Sequence, residues 1–206
     1  MTDEQMELNL VFATPVARFN ASEFLEYGRS LFDGQIKTSS AHESGNLLTS
    51  LNISVNNDMS AEPLPNDEAL KNFICKSTQE FAAAFGYDVS LYDFSVYCIW
   101  INKMKSNSIS AKHDHYGSNF SGCFYVDLPK DSGGITFFGP LLRFDRARVN
   151  IKEHTIFNSH QWSIQPNEGD LYIWESYLQH QVTHDEFDGT RCSIAFDVNL
   201  NLKDKS

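Results

Sequence analysis

Three histidines and one arginine carry the chemistry available to this sequence. His113-Asp114-His115 lies just past the midpoint, His180 follows much later, and Arg191-Cys192-Ser193 begins eleven residues after it. Side chains two apart on a strand point the same way. His113 and His115 can therefore reach one metal ion, while Asp114 points away. His180, from another strand, would close one face of the ion and leave the opposite positions open to substrate and oxygen. That is the outline of a mononuclear non-haem iron(II) site, which ordinarily takes two histidines and one carboxylate. The position two after His113 ought therefore to be acidic, and it is His115. Asp114 is the alternative third ligand if a local bulge turns it inward, and a site with no third protein ligand is a further alternative.

Strand alternation places an acid-binding group beside these histidines. From Arg191 onward, Arg191, Ser193 and Ala195 share one face, while Cys192, Ile194, Phe196 and Val198 share the other. The second set is apolar and can pack under helices. The first turns a guanidinium and a hydroxyl inward. In the preceding strand Ser121, Cys123 and Tyr125 face one way, so Tyr125 can join Arg191 and Ser193 around one carboxylate. The planar fork of arginine binds a carboxylate through two hydrogen bonds. A buried arginine without such a partner is costly, so an acid ligand or an internal Asp or Glu is expected.

Other candidates read more simply. Glu175 is an alternative carboxylate ligand or substrate contact, but a strand-end charge or a partner for an imidazole is the better reading. His154, His160 and His184 lack paired spacing, and His42 sits in a polar stretch. The four cysteines, Cys75, Cys98, Cys123 and Cys192, form no CxxC pair and read as reduced and buried.

The elements that must position these residues follow from patterning. Leu8 to Phe19 reads as a strand bent at Pro15, and Ala21 to Asp33 as a helix. Thr38 to Pro65 reads as mostly loop with a short strand near Leu51–Val55, a candidate lid over the substrate. Asn66 can cap the next helix, in which Leu70, Phe73, Ile74, Phe81, Ala84 and Phe85 recur at helical spacing and Gly86 is the stop. This aromatic stripe reads as core rather than a ligand groove. Strands follow at Val96–Met104, Phe120–Val126, Gly134–Phe138, Asp170–Glu175 and Cys192–Leu200. Turns are marked by Pro129–Gly134 and Pro166–Gly169. Helices followed by about eight strands predict an α+β, mainly β domain with a closed or sandwiched antiparallel sheet.

A chain of 206 residues suits one well-buried domain, and 41% apolar residues suit a globular protein. The formal charge of −11 argues against general nucleic-acid binding, which needs clustered cations. No apolar run approaches the length of a membrane span, and the acidic start is unlike a signal peptide, so a cytoplasmic location without membrane contact is expected. Nothing in the sequence speaks to an oligomeric state.

The motifs HDHYGSNFSGCFY, GGITFFGP and PNEGDLYIWESYLQH, followed by Arg191-x-Ser193, resemble the 2-oxoglutarate/Fe(II)-dependent oxygenases. The resemblance is nearest to a bacterial and phage family with an HxH motif, whose members also open with a segment like LVFATPV. It spans nearly the whole chain, and its specific part is Trp100 to Val198. It implies a double-stranded β-helix (jelly-roll) core over 91–202, a helical and loop support region over 1–90, and one domain over 1–206. It also implies Fe(II), 2-oxoglutarate and O2. His113, His115 and His180 would hold the metal. Arg191, Ser193 and Tyr125 would bind the oxoglutarate tail, and Asn102 would line the pocket.

The departure from a carboxylate has a physical consequence. Iron(II) with two histidines, a carboxylate and the oxoglutarate dianion carries one net negative charge, and a third neutral imidazole removes it. The metal becomes a stronger Lewis acid, and three imidazoles suit zinc, copper or nickel as well as iron. The expected activity is hydroxylation of a small-molecule, amino-acid or peptide substrate with release of succinate and CO2. A three-histidine cupin-type dioxygenase that does not use 2-oxoglutarate, and a non-catalytic metal-binding jelly roll, are the alternatives.

Overall fold

The computed structural model describes residues 13–33, 39–41, 44–53, 59–140, 150–182 and 186–203. β1 (Ala17–Asn20) leads through a 3-10 turn (Ser22–Phe24) into α1 (Leu25–Leu31). Next come β2 (Ser39–Ala41), β3 (Ser44–Thr49), β4 (Leu51–Ile53) and β5 (Met59–Ala61), then α2 (Glu68–Ala84) and a 3-10 turn (Val89–Leu91). The strands of the core are β6 (Tyr92–Met104), β7 (Ser110–His113), β8 (Phe120–Asp127), β9 (Ile135–Phe138), β10 (Gln161–Ile164), β11 (Asp170–Glu175), β12 (His180–Val182) and β13 (Arg191–Leu202).

A seven-stranded sheet runs in the order β1-β11-β8-β13-β6-β3-β2, a four-stranded sheet in the order β10-β9-β12-β7, and β4 pairs with β5. Every described pairing is antiparallel. This is the mainly β, jelly-roll architecture expected from the sequence. The larger sheet is covered by helices on one face. There Leu70, Ile74, Phe81 and Ala82 of α2 and Leu31 of α1 share a core with Ile99, Ile101, Phe124, Ile194 and Phe196. On its other face Cys123, Tyr125, Tyr172 and Trp174 pack with Ile135 and Phe137 of the smaller sheet. The period-two pattern of β13 thus sends Cys192, Ile194, Phe196 and Val198 to the helices and leaves the alternate residues between the sheets.

Several local expectations are corrected. Thr38–Pro65 is strand-rich where described: β3 pairs with β6 and extends the larger sheet, and β4 and β5 form their own ladder. The expected loop is therefore mostly strand where described, and Leu51 and Ala61 pack against Cys98, Trp100 and Ala195. Asn66 does not cap α2; it adopts a left-handed φ of 54°. Asp67 takes the N-cap position, with its carboxylate on Lys71 at 2.9 Å instead of on a helix N–H. Ala82 rather than Ala84 completes the buried stripe, and Gly86 ends the helix at φ 86°. The strand after Pro15 begins at Ala17, and Leu8–Phe12 lie outside the described residues. All four cysteines are free, and burial above all pushes the Cys98 and Cys192 thiols up to about 11.

No helix among the described residues is long and apolar enough to cross a membrane. The tightest packing constraint is at Gly122 of β8, which lies opposite both Phe196 and Ile173. A Cβ there would collide with the Phe196 ring and come within 2.5 Å of the Tyr172 carbonyl oxygen. Because backbone cannot step aside as a side-chain tip can, Gly122→Ala is expected to cost about 1–3 kcal/mol. A urea denaturation midpoint no lower than wild type, at equal slope, would contradict this packing.

Candidate metal centre

The smaller sheet brings two histidines face to face. His113, the last residue of β7, is the register partner of His180, the first residue of β12. Their ring centroids are 4.4 Å apart. His115 lies beyond the end of β7, not on the strand as the alternation argument assumed. Its backbone N–H donates to the Ser176 carbonyl at 3.0 Å, and this bond folds the chain back so that its ring meets both others, 5.1 Å from His113 and 5.2 Å from His180. One ring nitrogen from each lies within 4.8 Å of the other two.

The partners of the rings decide which nitrogen faces the centre. His113 Nδ1 meets the Ala111 carbonyl at 2.6 Å, His180 Nδ1 the Leu178 carbonyl at 3.0 Å, and His115 Nδ1 the Asp197 carboxylate at 2.7 Å. All three partners only accept, so each Nδ1 carries a proton and donates it. In the neutral tautomer this selects, Nε2 is the lone-pair nitrogen, which is what a metal needs. Burial first, then the neighbouring His113 and His115, lowers the pKa of His180 to about 3, against the opposing Leu178 hydrogen bond. Trp174 packs edge-on against His180 at 4.8 Å, and Trp100 stacks on His115 at 5.7 Å. The donor set therefore fits a divalent transition metal: three imidazoles oriented from behind, with indoles against His115 and His180.

Between the sheets lies a cation that lacks a partner. Arg191 is only 2% exposed. Its Nη1 donates to Met104 Sδ at 3.4 Å, while Nε and Nη2 have no hydrogen-bond partner among the described residues. The guanidinium carbon sits 5.2 Å from the centre of the Tyr125 ring. Ser193 is in register with Tyr125 on one side and Asn102 on the other. Burial, then the adjacent Cys123 thiol, pushes Tyr125 well above the usual phenol range, so it stays a neutral O–H donor. Leaving a buried guanidinium half-paired costs several kcal/mol, and an anionic oxygen pair arriving from outside would relieve it. The internal Asp or Glu that could have served is absent from Arg191 among the described residues. This pocket fits the carboxylate of 2-oxoglutarate.

The remaining candidates fall elsewhere. Asp114 is exposed and accepts a hydrogen bond from Gln179 at 3.3 Å, outside the histidine cluster. Glu175 accepts from the Tyr87 hydroxyl at 2.7 Å and ties β11 to the segment after α2. His154 and His160 are exposed and do not join the cluster; His42 and His184 lie outside the described residues. One residue escaped the sequence reading: Asp197, fully buried behind His115. The signal was available, because Asp197 continues the inward face of Arg191, Ser193 and Ala195 by one more step of two.

A metal-free stability profile follows from His180. Its folded pKa of about 3 lies below the ordinary 6.5, so the unfolded chain binds the proton more readily. The stability it contributes is present above about 6.5 and is lost as pH falls toward 3, at up to about 1.4 kcal/mol per pH unit. In chelator-treated protein the urea midpoint should fall between pH 7 and pH 5, and fall less in His180→Gln. Equal slopes in the two proteins would remove His180 as the source.

Residues 98–197 match the family model described as "Putative 2OG-Fe(II) oxygenase". No curated protein matches the sequence. Similar solved structures include a 2OG-Fe(II) oxygenase family oxidoreductase from Burkholderia pseudomallei, with TM-score 0.62 at 14% identity over 89% of this chain and 84% of that one. A Pseudomonas putida prolyl-4-hydroxylase gives 0.55 at 13% identity over 90% and 93%. HygX from Streptomyces hygroscopicus, with nickel, 2-oxoglutarate and hygromycin B bound, gives 0.58 at 11% identity over 90% and 83%. These likenesses carry the fold, a double-stranded β-helix, and the family model spans β6 to β13, the strands that hold the site. Residues 98–197 thus resemble the 2OG-Fe(II) oxygenase family, and the three-histidine cluster and the Arg191 pocket within that stretch fit the Fe(II) and 2-oxoglutarate of such an oxidoreductase.

Proposed function

We propose that the protein hydroxylates a C–H bond of a small-molecule, amino-acid or peptide substrate, converting 2-oxoglutarate and O2 to succinate and CO2. The observation that carries this reading is the buried Arg191 guanidinium, with two unpartnered nitrogens, in the same interior as the three-histidine cluster. His113, His115 and His180 would hold the iron. When bound, iron supplies the oxygen-activating chemistry. Arg191 would take the distal carboxylate of 2-oxoglutarate through a forked pair of hydrogen bonds. Tyr125 and Ser193 would add hydroxyl donors, and Asn102 would flank them. The indoles of Trp100 and Trp174 cover the rings of His115 and His180 and hold their planes. A peptide or small-molecule substrate is in keeping with the neighbouring folds, one named as a prolyl-4-hydroxylase and one holding hygromycin B. The formal charge of −11 disfavours an anionic polymer. We also read 1–206 as one domain in which 1–90 braces 91–202, and a cytoplasmic setting, which four free cysteines support.

Anaerobic addition of 2-oxoglutarate to the iron-loaded protein should produce a charge-transfer absorption band, and admission of air should yield succinate. Arg191→Ala should weaken 2-oxoglutarate binding on the order of 10²-fold or more, because it removes the buried charge that the carboxylate pairs with. Oxygen uptake without 2-oxoglutarate would instead indicate a three-histidine dioxygenase that grips its substrate with Arg191. Bound iron with neither band nor turnover would leave a metal-binding jelly roll without catalysis.

A further inference from the structure

Asp197 is a carboxylate buried in an unusual place. It is 0% exposed, and its only ion-pair partner among the described residues is the imidazole of His115, at 2.7 Å. The same oxygen, Oδ1, also accepts from the Ser121 hydroxyl at 2.6 Å, which in turn lies 2.7 Å from the Ser176 hydroxyl. Oδ2 has no hydrogen-bond partner among the described residues. Among the described residues no lysine or arginine pairs with it, yet burying an uncompensated carboxylate costs several kcal/mol. A cation on the far side of His115 would offset that cost.

The three imidazoles are not supported alike. His113 and His180 each lean on a neutral main-chain carbonyl, Ala111 and Leu178. His115 leans on a carboxylate. It is also the one ligand position at which iron sites of this kind ordinarily carry the carboxylate itself. The charge missing from the metal's own ligands is thus found one hydrogen bond further out, behind the residue that took its place. A carboxylate accepting from the Nδ1–H of a ligating histidine fixes the tautomer and ring orientation, and makes Nε2 a stronger donor.

We propose that Asp197 is a positioning residue of the metal centre, the displaced carboxylate of the site: through His115 it orients the third imidazole and returns to the iron the negative charge that a neutral histidine withholds. Ser121 and Ser176 serve this arrangement. Ser121 holds the carboxylate from the strand beside it, and the Ser176 carbonyl anchors the His115 backbone while its hydroxyl anchors Ser121. The inference rests on the reading of His113, His115 and His180 as the metal ligands.

Asp197→Asn tests it, because the amide oxygen can still accept from His115 while the charge is gone. Cobalt(II) titration of the metal-free protein should show affinity lowered about 10–100-fold. The reduction potential of the iron-loaded protein, without 2-oxoglutarate, should move upward. Moving the carboxylate to the metal, in the double variant His115→Asp with Asp197→Asn, should recover both affinity and potential. An Asp197→Asn protein with wild-type cobalt affinity and wild-type potential would make Asp197 a plain structural acceptor and overturn the proposal. Should that variant fail to fold, nitrogen-15 spectra of the zinc-loaded wild type decide. The His115 Nδ1 proton should resonate furthest downfield of the three; a His115 without a proton on Nδ1, or one indistinguishable from His113 and His180, overturns the proposal. If zinc leaves the three imidazole signals undisturbed, the ligand reading itself fails. If zinc shifts all three and Asp197→Asn matches wild type, only the role of Asp197 fails.

Discussion

Everything at this site depends on the period-two alternation of one strand. β13 pairs with β6 on one side and β8 on the other, and so occupies the middle of the larger sheet. Its apolar face, Cys192, Ile194, Phe196 and Val198, is held by the helices. Each fully buried residue of this kind contributes roughly 1.5–3 kcal/mol, so the strand cannot rotate or slip by one residue without exposing its whole apolar set. The inward face is fixed as a consequence. It presents Arg191 and Ser193 at one end, and Asp197 two turns of the pleat further on. The anion pocket and the support for His115 are thus two stations on a single rigid element.

The two ends of that face treat charge in opposite ways. Arg191 is a buried cation with two unpartnered nitrogens, and Asp197 is a buried anion with one unpartnered oxygen. They do not neutralise each other, although they share a face. A protein that spends stability on two separated, half-satisfied charges is organised around what comes between them. An acid ligand and a metal cation are groups of the sign that each end lacks.

The fold was largely legible because its central strands are long and strongly patterned. The observed bounds of β11 coincide with the expected Asp170–Glu175, and β6, β8 and β13 extend the expected ranges by a few residues at their ends. β10 escaped notice, and β7 and β12 were expected only as the strands carrying His113 and His180, without bounds; all three are three or four residues long and carry polar side chains such as Lys112, Gln161, Ser163 and Gln181. Their β structure comes from pairing with β9 and with each other, not from intrinsic preference. The same holds for β2 and β3, whose Ser, Gly and Asn content reads as loop until β6 offers its free edge. Asn66 was a plausible cap in isolation, but the left-handed turn before α2 moved the helix start one residue on.

The sequence by itself determined which side chains could act: the HxH pair, the later His180, and an Arg-x-Ser whose alternation turns it inward beside Tyr125. These inferences are local, resting on residue type and on spacing of two within a segment. Tertiary structure alone decided how His115 reaches the others, since it sits past the end of β7 and is drawn in by the Ser176 carbonyl, about sixty residues away. It also decided that Asp114 faces solvent and that Asp197 stands behind His115, a contact across 82 residues. Spacing cannot show such contacts, because they exist only once two sheets have closed on each other. The misplaced histidine of the HxH motif is therefore only half of a substitution, and the other half became visible when β13 was laid beside β8.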